Sequence, residues 1–150
     1  MTHLGDSPVA ERSWHTVHTN VGPTLLGVWY RAPDAPQEHS DTFETELAEY
    51  CKDHVYTVLV GDLNVYHQKW LRHSPGNTPL GQQLQDVCSN FNLKQVVKEP
   101  THGSYLLDLV LTDAPALTKT TLLPKVADHA SVLTTLRWGV TREQPVQRTV

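Results

Sequence analysis

Short stretches of alternating or continuous apolar residues recur along the chain, and they predict β-strands. The first two flank Gly22 and Pro23, at 14–17 and 25–30, and fit a strand, a turn and a buried strand. The β-branched run at 55–60 predicts a strand that is buried on both faces. Further strands are predicted at 93–97, 105–112, 121–126 and 130–138.

A first segment with helical periodicity follows the second predicted strand. The helix is predicted to begin at Ser40 or Asp41, where Asp41 and Glu44 give an acidic first turn, and to bury Phe43 and Leu47. Its other face is acidic, so we expect that face to be solvated.

A second helix is predicted to follow the long polar loop at 62–76. Thr78 has the residue type of an N-cap, and Pro79 suits the first helical position. The apolar stripe of this helix comprises Leu80, Leu84, Val87, Cys88 and Phe91. Strands and helices mix without strict alternation, which predicts an α/β or α+β fold with a substantial sheet. We expect one domain at 13–138, with flexible ends at 1–12 and 139–150.

The composition agrees with one globular domain, since 39% of the 150 residues are hydrophobic and 19% are charged. No apolar run approaches the roughly 18 residues that cross a bilayer, and residues 1–11 show no signal peptide. We therefore expect an intracellular protein, nuclear or cytoplasmic, with no membrane partner. Cys51 and Cys88 lie far apart in predicted helices, which favours buried reduced thiols over a disulfide.

The net charge of −4 at first argues against a nucleic-acid partner. Residues 34–53, however, contain seven acids and one base, so this segment carries −6 and the remaining residues carry +2. A mildly basic remainder neither identifies a polyanionic partner nor excludes one.

The first candidate site is Gly61-Asp62-Leu63-Asn64, placed where the buried strand at 55–60 gives way to the loop. Because side-chain direction repeats every two residues along a strand, Asp62 and Asn64 are expected to face the same way. A carboxylate and an amide suit a phosphate and a divalent cation. The alternative is an ordinary turn, since Gly, Asp and Asn favour turns. The segment alone does not decide between the two.

Two later positions also carry candidate chemistry. Asp108 lies inside an apolar run at 106–111, where a carboxylate is costly unless something compensates it. A structural salt bridge or an edge-strand position could do so. Asp128 and His129 lie side by side between predicted strands, and a histidine oriented by a carboxylate can act as acid or base. Most histidines, however, are ordinary surface or core residues.

Taken in order, these elements resemble the endonuclease/exonuclease/phosphatase superfamily, with Gly-Asp-x-Asn after a buried strand, Leu-Asp-Leu inside a later strand and Asp-His near the end. The resemblance is closer to its branch of non-LTR (LINE-type) retrotransposon endonucleases. In that branch His and Trp follow Gly-Asp-x-Asn, as in residues 61–70 here. The stretch 99–102 also resembles the branch, with His102 where the branch has Arg, and residues 29–33 are similar to its Tyr-Arg-Pro-Pro element. The resemblance covers about residues 14–136.

This resemblance implies both a fold and a reaction. The implied fold is a four-layer α/β sandwich, two mixed sheets flanked by helices, which would be partial here and truncated on its N-terminal side. The implied reaction is phosphodiester hydrolysis with Mg²⁺ or Mn²⁺, used to nick a DNA target site as part of a retrotransposon polyprotein with a reverse transcriptase.

The resemblance also implies roles for residues near the first candidate site. Asp62 would position or deprotonate the attacking water, Asn64 would hydrogen-bond the phosphate, and Tyr30 would approach the scissile group. Packing of Trp70 on the surface is as well supported as a contact with DNA. The candidates for contacts with DNA are His67, Lys69, Trp70, Arg72, His73 and His102.

The remaining implied roles fall near the end of the chain. Asp108 would orient His129, which would stabilise the charge that develops on the phosphorus group, and Asp128 would lie near the metal. The superfamily's metal-binding glutamate and a further active-site asparagine lie on early strands, before the region that residues 14–30 resemble. Glu11 does not match that motif.

We therefore expect metal binding and activity to be impaired, unless a partner chain supplies the early strands. The alternative function is a catalytically inactive remnant that retains nucleic-acid binding. A phosphatase acting on inositol lipids or another small substrate is disfavoured by residues 67–70, which resemble the retrotransposon branch.

Overall fold

Two β-sheets and two helices make up the residues that the structure, a computed structural model, describes: 1–126, 129–139 and 145–149. The strands are β1 (Thr2–Asp6), β2 (Glu11–Thr19), β3 (Gly22–Tyr30), β4 (Tyr56–Asp62), β5 (Lys94–Gln95), β6 (Asp108–Thr112), β7 (Thr118–Val126), β8 (His129–Gly139) and β9 (Pro145–Thr149). The helices are α1 (Gln37–Cys51) and α2 (Pro79–Asn90), with a 3₁₀ turn at Pro115–Leu117.

The larger sheet has six strands in the order β1-β2-β3-β4-β6-β5. Strands β3 and β4 are parallel, and the other neighbours are antiparallel, so the sheet is mixed. The connection between β3 and β4 contains α1, as a parallel crossover requires. The predicted α/β class is confirmed, while the four-layer arrangement stays a prediction.

Both helices pack on one face of this sheet and bury aromatic side chains there. Phe43 of α1 lies 6.2 Å from the ring of Trp14 and 4.8 Å from that of Trp29, measured between ring centroids. Phe43 and Leu47 are the buried residues of α1, which confirms its predicted apolar stripe. This packing fixes α1 over β2 and β3.

The predicted start of α1 at Ser40 or Asp41 is wrong, because the helix begins at Gln37 with Pro36 as its N-cap residue. Asp41 does not cap the helix. Its carboxylate accepts hydrogen bonds from the side chains of Gln37 and Gln83, each at 2.9 Å, and thereby ties α1 to α2. These two hydrogen bonds also lower the pKa of Asp41.

The predicted start of α2 is confirmed in detail. The Thr78 hydroxyl accepts the backbone N–H of Gly81 at 3.0 Å, with Pro79 in the first turn. The helix ends at Asn90 with Phe91 as its C-cap, and the next residue, Asn92, is left-handed with φ of 56°. The next N–H, that of Leu93, returns to the carbonyl of Cys88 at 2.8 Å, which is the closing bond of a Schellman motif.

Two strands are shorter than predicted because side chains take over backbone hydrogen bonds. β5 covers two residues instead of 93–97, since the Gln95 amide bonds both the N–H and the carbonyl of Val97 at 2.7 Å. β6 begins at Asp108 instead of 105, since the Thr101 hydroxyl accepts the N–H groups of Leu107 and Asp108.

The second sheet has three strands in the order β7-β8-β9. Val132 of β8 is fully buried and belongs to the same hydrophobic core as β4 and β6. The predicted ends 1–12 and 139–150 contain β1 and β9, which the pattern of the sequence did not predict, while the division at 13–138 stays a prediction. Cys51 and Cys88 are free thiols, and burial raises the pKa of Cys88 to about 12. Neither helix among the described residues is long and apolar enough to cross a membrane.

Candidate active site

The Gly-Asp-x-Asn segment ends β4 at Asp62 and turns into the following loop at Asn64. Gly61 has φ of 156°, and a Cβ at this position would collide with the carbonyl oxygen of Trp29. Asn64 has φ of 48°, a conformation that asparagine tolerates better than most residues. Its N–H donates to the Asp62 carboxylate at 3.2 Å. Gly61, Asp62 and Leu63 therefore continue the pairing with β6, and the left-handed Asn64 turns the chain into the loop.

Three of the predicted residues lie in one row across neighbouring strands. Asp62 of β4 and Asp108 of β6 are direct partners in the antiparallel ladder. The parallel register pairs Val28 with Val60, so Tyr30, two residues later, is level with Asp62. The row lies on the face of the sheet opposite the helices, at the end where β3 and β4 finish.

The row also runs from solvent into the interior. Tyr30 is 46% exposed, Asp62 is half-buried and Asp108 is 6% exposed. Like charges directly opposite each other destabilise a sheet. The pair of carboxylates is therefore a place where a cation or a protonated donor would be stabilised.

Arg31 supports the turn from inside the protein, a role that the sequence analysis missed. Its side chain is 3% exposed, and Nη1 donates to the carbonyl oxygens of Leu63 and Asn64, each at 3.4 Å. In return the Asn64 amide donates to the carbonyl of Arg31 at 2.8 Å. Burial lowers the pKa of the Arg31 guanidinium. The only sequence signal was a basic residue between a strand end and two prolines.

Thr101 holds the Asp108 end of the row in place, a role that the sequence analysis also did not predict. It is fully buried, and its hydroxyl accepts the N–H of Asp108 at 3.0 Å and that of Leu107 at 3.2 Å. A threonine inside the motif stretch 99–102 was the available signal. The hydroxyl holds the first residue of β6, and hence Asp108, in place.

Two of the predicted DNA-contacting residues anchor the loop after β4, and their contacts with DNA stay predictions. His67 is 3% exposed; its Nδ1 accepts the N–H of Lys69 at 3.2 Å, so Nε2 carries the proton toward the Gln82 side chain, 2.9 Å away. Trp70 donates from Nε1 to the carbonyl of Gly81 at 3.2 Å. Both residues fasten the loop to α2.

The remaining predicted contact residues lie on the surface. Lys69, Arg72 and His73 are exposed, and the His73 ring lies 3.3 Å from the carbonyl of Lys98. His102 is half-exposed, and its backbone forms a bridge with Tyr105. These side chains are accessible, and their contacts with DNA stay predictions.

The last two predicted residues fall at the start of β8. Asp128 lies outside the described residues. His129 is the first residue of β8, where its backbone pairs with Val126, and its side chain is not among those described. The structure therefore brings together Asp62, Asn64 and Asp108, and the position of the His129 ring relative to them stays a prediction.

Comparison with known families identifies the chain. The family model described as endonuclease-reverse transcriptase matches residues 24–133. The chain belongs to this family. The predicted resemblance to retrotransposon endonucleases is thereby confirmed, and all three residues of the Tyr30–Asp62–Asp108 row lie inside the matched range.

One solved structure shows the same fold as this endonuclease-reverse transcriptase domain. The endonuclease domain of TRAS1, a telomere-specific non-LTR retrotransposon, superposes with a TM-score of 0.68 at 17% identity, covering 84% of this chain. The match spans 63% of the TRAS1 domain's length. A beta toxin from Staphylococcus aureus matches with a TM-score of 0.47 at 11% identity, over 92% of this chain and 53% of the toxin. No curated protein matches the chain significantly.

Endonuclease-reverse transcriptase domains generally depend on a metal, and the acids of the row offer oxygen donors of the kind that Mg²⁺ prefers. Mg²⁺ takes oxygen ligands and is commonly held by one or two carboxylates, completed by water and substrate phosphates. Asp62 and Asp108 supply two such carboxylates on adjacent strands. Among the described residues, no three His, Cys, Asp or Glu side chains form a group that could hold a metal. The pair therefore fits an open site, and it does not form a closed cage.

Proposed function

We propose that this chain hydrolyses phosphodiester bonds in DNA, as the endonuclease part of a retrotransposon polyprotein that nicks its target site. The observation that carries the proposal is the direct pairing of Asp62 with Asp108 beside the Asn64 turn, in a chain of a nuclease family. The TRAS1 endonuclease domain, which has the same fold, supports it.

In this proposal the half-buried Asp62 orients the attacking water and accepts its proton. The water oxygen forms a bond to phosphorus as the bond from phosphorus to the ester oxygen breaks, and the ester oxygen takes a proton from solvent, which yields a phosphate monoester and a free hydroxyl without a covalent enzyme intermediate. The second N–H of the Asn64 amide, whose first N–H is taken by the Arg31 carbonyl, is available to a phosphate oxygen. When bound, Mg²⁺ or Mn²⁺ would supply positive charge to the phosphate oxygens.

Asp108 and Tyr30 complete the proposed chemistry from either side of Asp62. Asp108 is a positioning residue that orients His129, whose imidazole stabilises the charge that develops on the phosphoryl oxygens. Tyr30 is accessible at 46% exposure and approaches the scissile group from the edge of the row. Asp128 is proposed as a further oxygen ligand for the metal.

A plasmid-nicking assay with Mg²⁺ tests this proposal. The parent chain should convert supercoiled to nicked plasmid at the impaired rate that the resemblance implies, and Asp62→Ala and His129→Ala should each reduce that rate by at least about 100-fold. Asp53→Ala, which removes an exposed acid at the far end of β4, is the matched control and should match the parent. Equal rates for the parent and the two site variants would reject the proposal.

Binding measurements separate this function from the alternative of an inactive nucleic-acid-binding remnant. The enzyme should release or take up heat on titration with millimolar Mg²⁺, and Asp62→Ala should weaken that signal. A chain that binds DNA but neither binds Mg²⁺ nor nicks plasmid would be the remnant. Recovery of nicking on addition of an upstream polypeptide would instead indicate that another chain supplies the early strands.

A further inference from the structure

A groove of about 830 Å³ runs along one side of the protein, away from the Asp62–Asp108 pair. One wall is the segment 94–99, which includes β5, the edge strand of the larger sheet. The other is 118–122, the first half of β7, the edge strand of the smaller sheet. The Thr120 hydroxyl joins the walls through a hydrogen bond to the carbonyl of Val96 at 3.4 Å. The groove is thus built where the edges of two sheets meet.

Positive charge dominates this groove. Three exposed lysines, Lys94, Lys98 and Lys119, line it with a single acid, Glu99, and we call it the lysine groove. The hydroxyl-bearing residues that also line it are Thr118, Thr120 and Thr121. Lysine and threonine side chains are among the usual partners of nucleic-acid phosphates. A local excess of positive charge is notable in a chain whose net charge is −4.

β5 is only two residues long, so it offers little edge to an added β-strand. The Gln95 side chain bonds the N–H and the carbonyl of Val97 and also accepts the N–H of Val110 at 3.4 Å, so it lies between β5 and β6 and ends their regular pairing. The volume of the groove lies in the usual range for ligand clefts, about 300–1,000 Å³. These features favour a partner held by its charge over a peptide that extends the sheet.

A short segment of the chain links the lysine groove to the candidate active site. Its wall at 94–99 leads into Thr101, whose hydroxyl holds the N–H of Asp108. The carbonyl of Lys98 lies 3.3 Å from the ring of His73, on the loop that also carries the exposed Lys69 and Arg72. A strand of phosphates that leaves the site along this loop would therefore meet the lysines next.

The acidic segment that contains α1 would steer a polyanion toward the same side. Residues 34–53, which include α1, carry seven acids and one base, and α1 packs on β2 and β3. The groove lies beside β5, at the opposite edge of the six-stranded sheet from β1 and β2. Phosphates are thus repelled from one edge and attracted to the other.

We propose that the lysine groove binds the phosphodiester backbone of duplex DNA several base pairs away from the scissile bond. The proposal rests on the proposed function, since it assumes the same DNA substrate. The lysine groove would supply the part of the affinity for DNA that does not depend on base sequence. These phosphate contacts would orient the duplex across Asp62 and Asp108.

Fluorescence anisotropy of a labelled duplex, measured in EDTA at several salt concentrations, tests the groove. Each phosphate contact contributes about 0.9 to the slope of log K against log salt. The triple variant Lys94→Gln, Lys98→Gln, Lys119→Gln should lower the slope by about 2 to 3. Lys98→Gln alone should lower it by about 0.9. Lys52→Gln, which removes one exposed lysine on the acidic side, should leave the slope unchanged.

The outcomes distinguish the groove from the active site. If the triple variant melts at the parent's temperature and keeps the parent's slope of log K against log salt, the lysine groove does not bind DNA, even if the parent nicks plasmid. A parent that binds duplex without nicking it overturns the proposed catalysis, and the slopes still decide the groove. A parent that does not bind duplex at all overturns both. Equal slope changes for Lys98→Gln and Lys52→Gln also overturn it, because they would show an effect of net charge alone.

Discussion

Two buried groups of charged residues lie on the larger sheet, one on each of its faces. On the helix face, the Arg12 guanidinium is 2% exposed and donates to both carboxylate oxygens of Glu46, at 2.8 and 3.0 Å. The Trp14 indole and the Ser7 hydroxyl donate to the same carboxylate. The guanidinium also lies 4.4 Å from the centroid of the Trp29 ring. Every charge in this group has an opposite charge beside it.

On the other face, at the end of β4, two acids are paired with each other. Asp62 and Asp108 are direct partners in the ladder, and Asp108 is almost completely buried. A buried carboxylate directly opposite a second one is a costly arrangement in a sheet. The Arg12–Glu46 group holds α1 on the sheet, whereas the function that we propose for the acid pair is to bind or to transfer charge.

Arg12→Leu should give the largest change in stability, because it leaves the Glu46 carboxylate under α1 without its cation. Loss of one partner of a buried ion pair costs about 3–5 kcal/mol. Urea unfolding would measure this loss, which the double variant Arg12→Leu, Glu46→Leu should partly restore. The control is Lys52→Leu, which breaks the exposed pair with Glu49 and should cost less than about 1 kcal/mol. If Arg12→Leu and Lys52→Leu lowered the free energy of unfolding equally, the Arg12–Glu46 group would not have the stabilising role assigned to it here.

Asp108→Asn should show the opposite balance, with a large effect on nicking and a small one on stability. It relieves the repulsion between two opposed carboxylates, so the free energy of unfolding should change by no more than about 1 kcal/mol. Nicking should fall by at least about 100-fold, because the amide cannot orient an imidazolium.

The matched control for Asp108→Asn is Asp113→Asn, just beyond the other end of the same strand. The Asp113 carboxylate accepts the N–H of Thr57 at 2.9 Å, an acceptor that asparagine keeps. Its nicking rate should equal the parent's. A large loss of stability in Asp108→Asn, or equal nicking by the two variants, would show that Asp108 is structural like Arg12.

The two groups also differ in how far the sequence predicted them. The Asp62 and Asp108 positions were predicted because each lies in a local pattern, a turn after a buried strand or an acid inside an apolar run. The same held for α2, where Thr78 and Pro79 are local signals. Their pairing was not a local feature, and it required the register between β4 and β6.

The Arg12–Glu46 group could not be predicted from the chain, because its members are 34 positions apart and each is unremarkable in its own segment. The same reason applies to Arg31 and Thr101, whose hydrogen bonds reach backbone groups on other segments. The start of α1 was missed because it depends on a contact with Gln83 of α2. Local sequence patterns therefore predicted the secondary structure and the two acids Asp62 and Asp108. The residues that support them were not predicted, because their contacts join segments that are distant in the sequence.

The smallest expected effect is the pH dependence that separates Glu46 from Asp113. Burial alone would raise the pKa of Glu46, but hydrogen bonds from Arg12, Trp14 and Ser7 outweigh it and hold that pKa below its ordinary 4.5. This carboxylate therefore contributes stability that is fully present above pH 4.5 and is lost as the pH falls through its lower folded value. Burial raises the pKa of Asp113 above 3.8, only partly opposed by its hydrogen bond from Thr57, so its contribution has the opposite sign.

Urea unfolding at a series of pH values would separate the contributions of Glu46 and Asp113 to the pH dependence of the free energy of unfolding. Glu46→Gln should flatten the loss of stability below pH 4.5, since glutamine cannot gain the proton whose uptake weakens the group. Asp113→Asn removes a carboxylate whose charged form is disfavoured by burial, so its benefit should grow as the pH rises above 3.8. If the free energy of unfolding of Glu46→Gln fell below pH 4.5 as steeply as that of the parent, the stabilising carboxylate would not be Glu46. The Arg12–Glu46 group would then not be a stabilising ion pair, and the contrast with the acid pair would be lost.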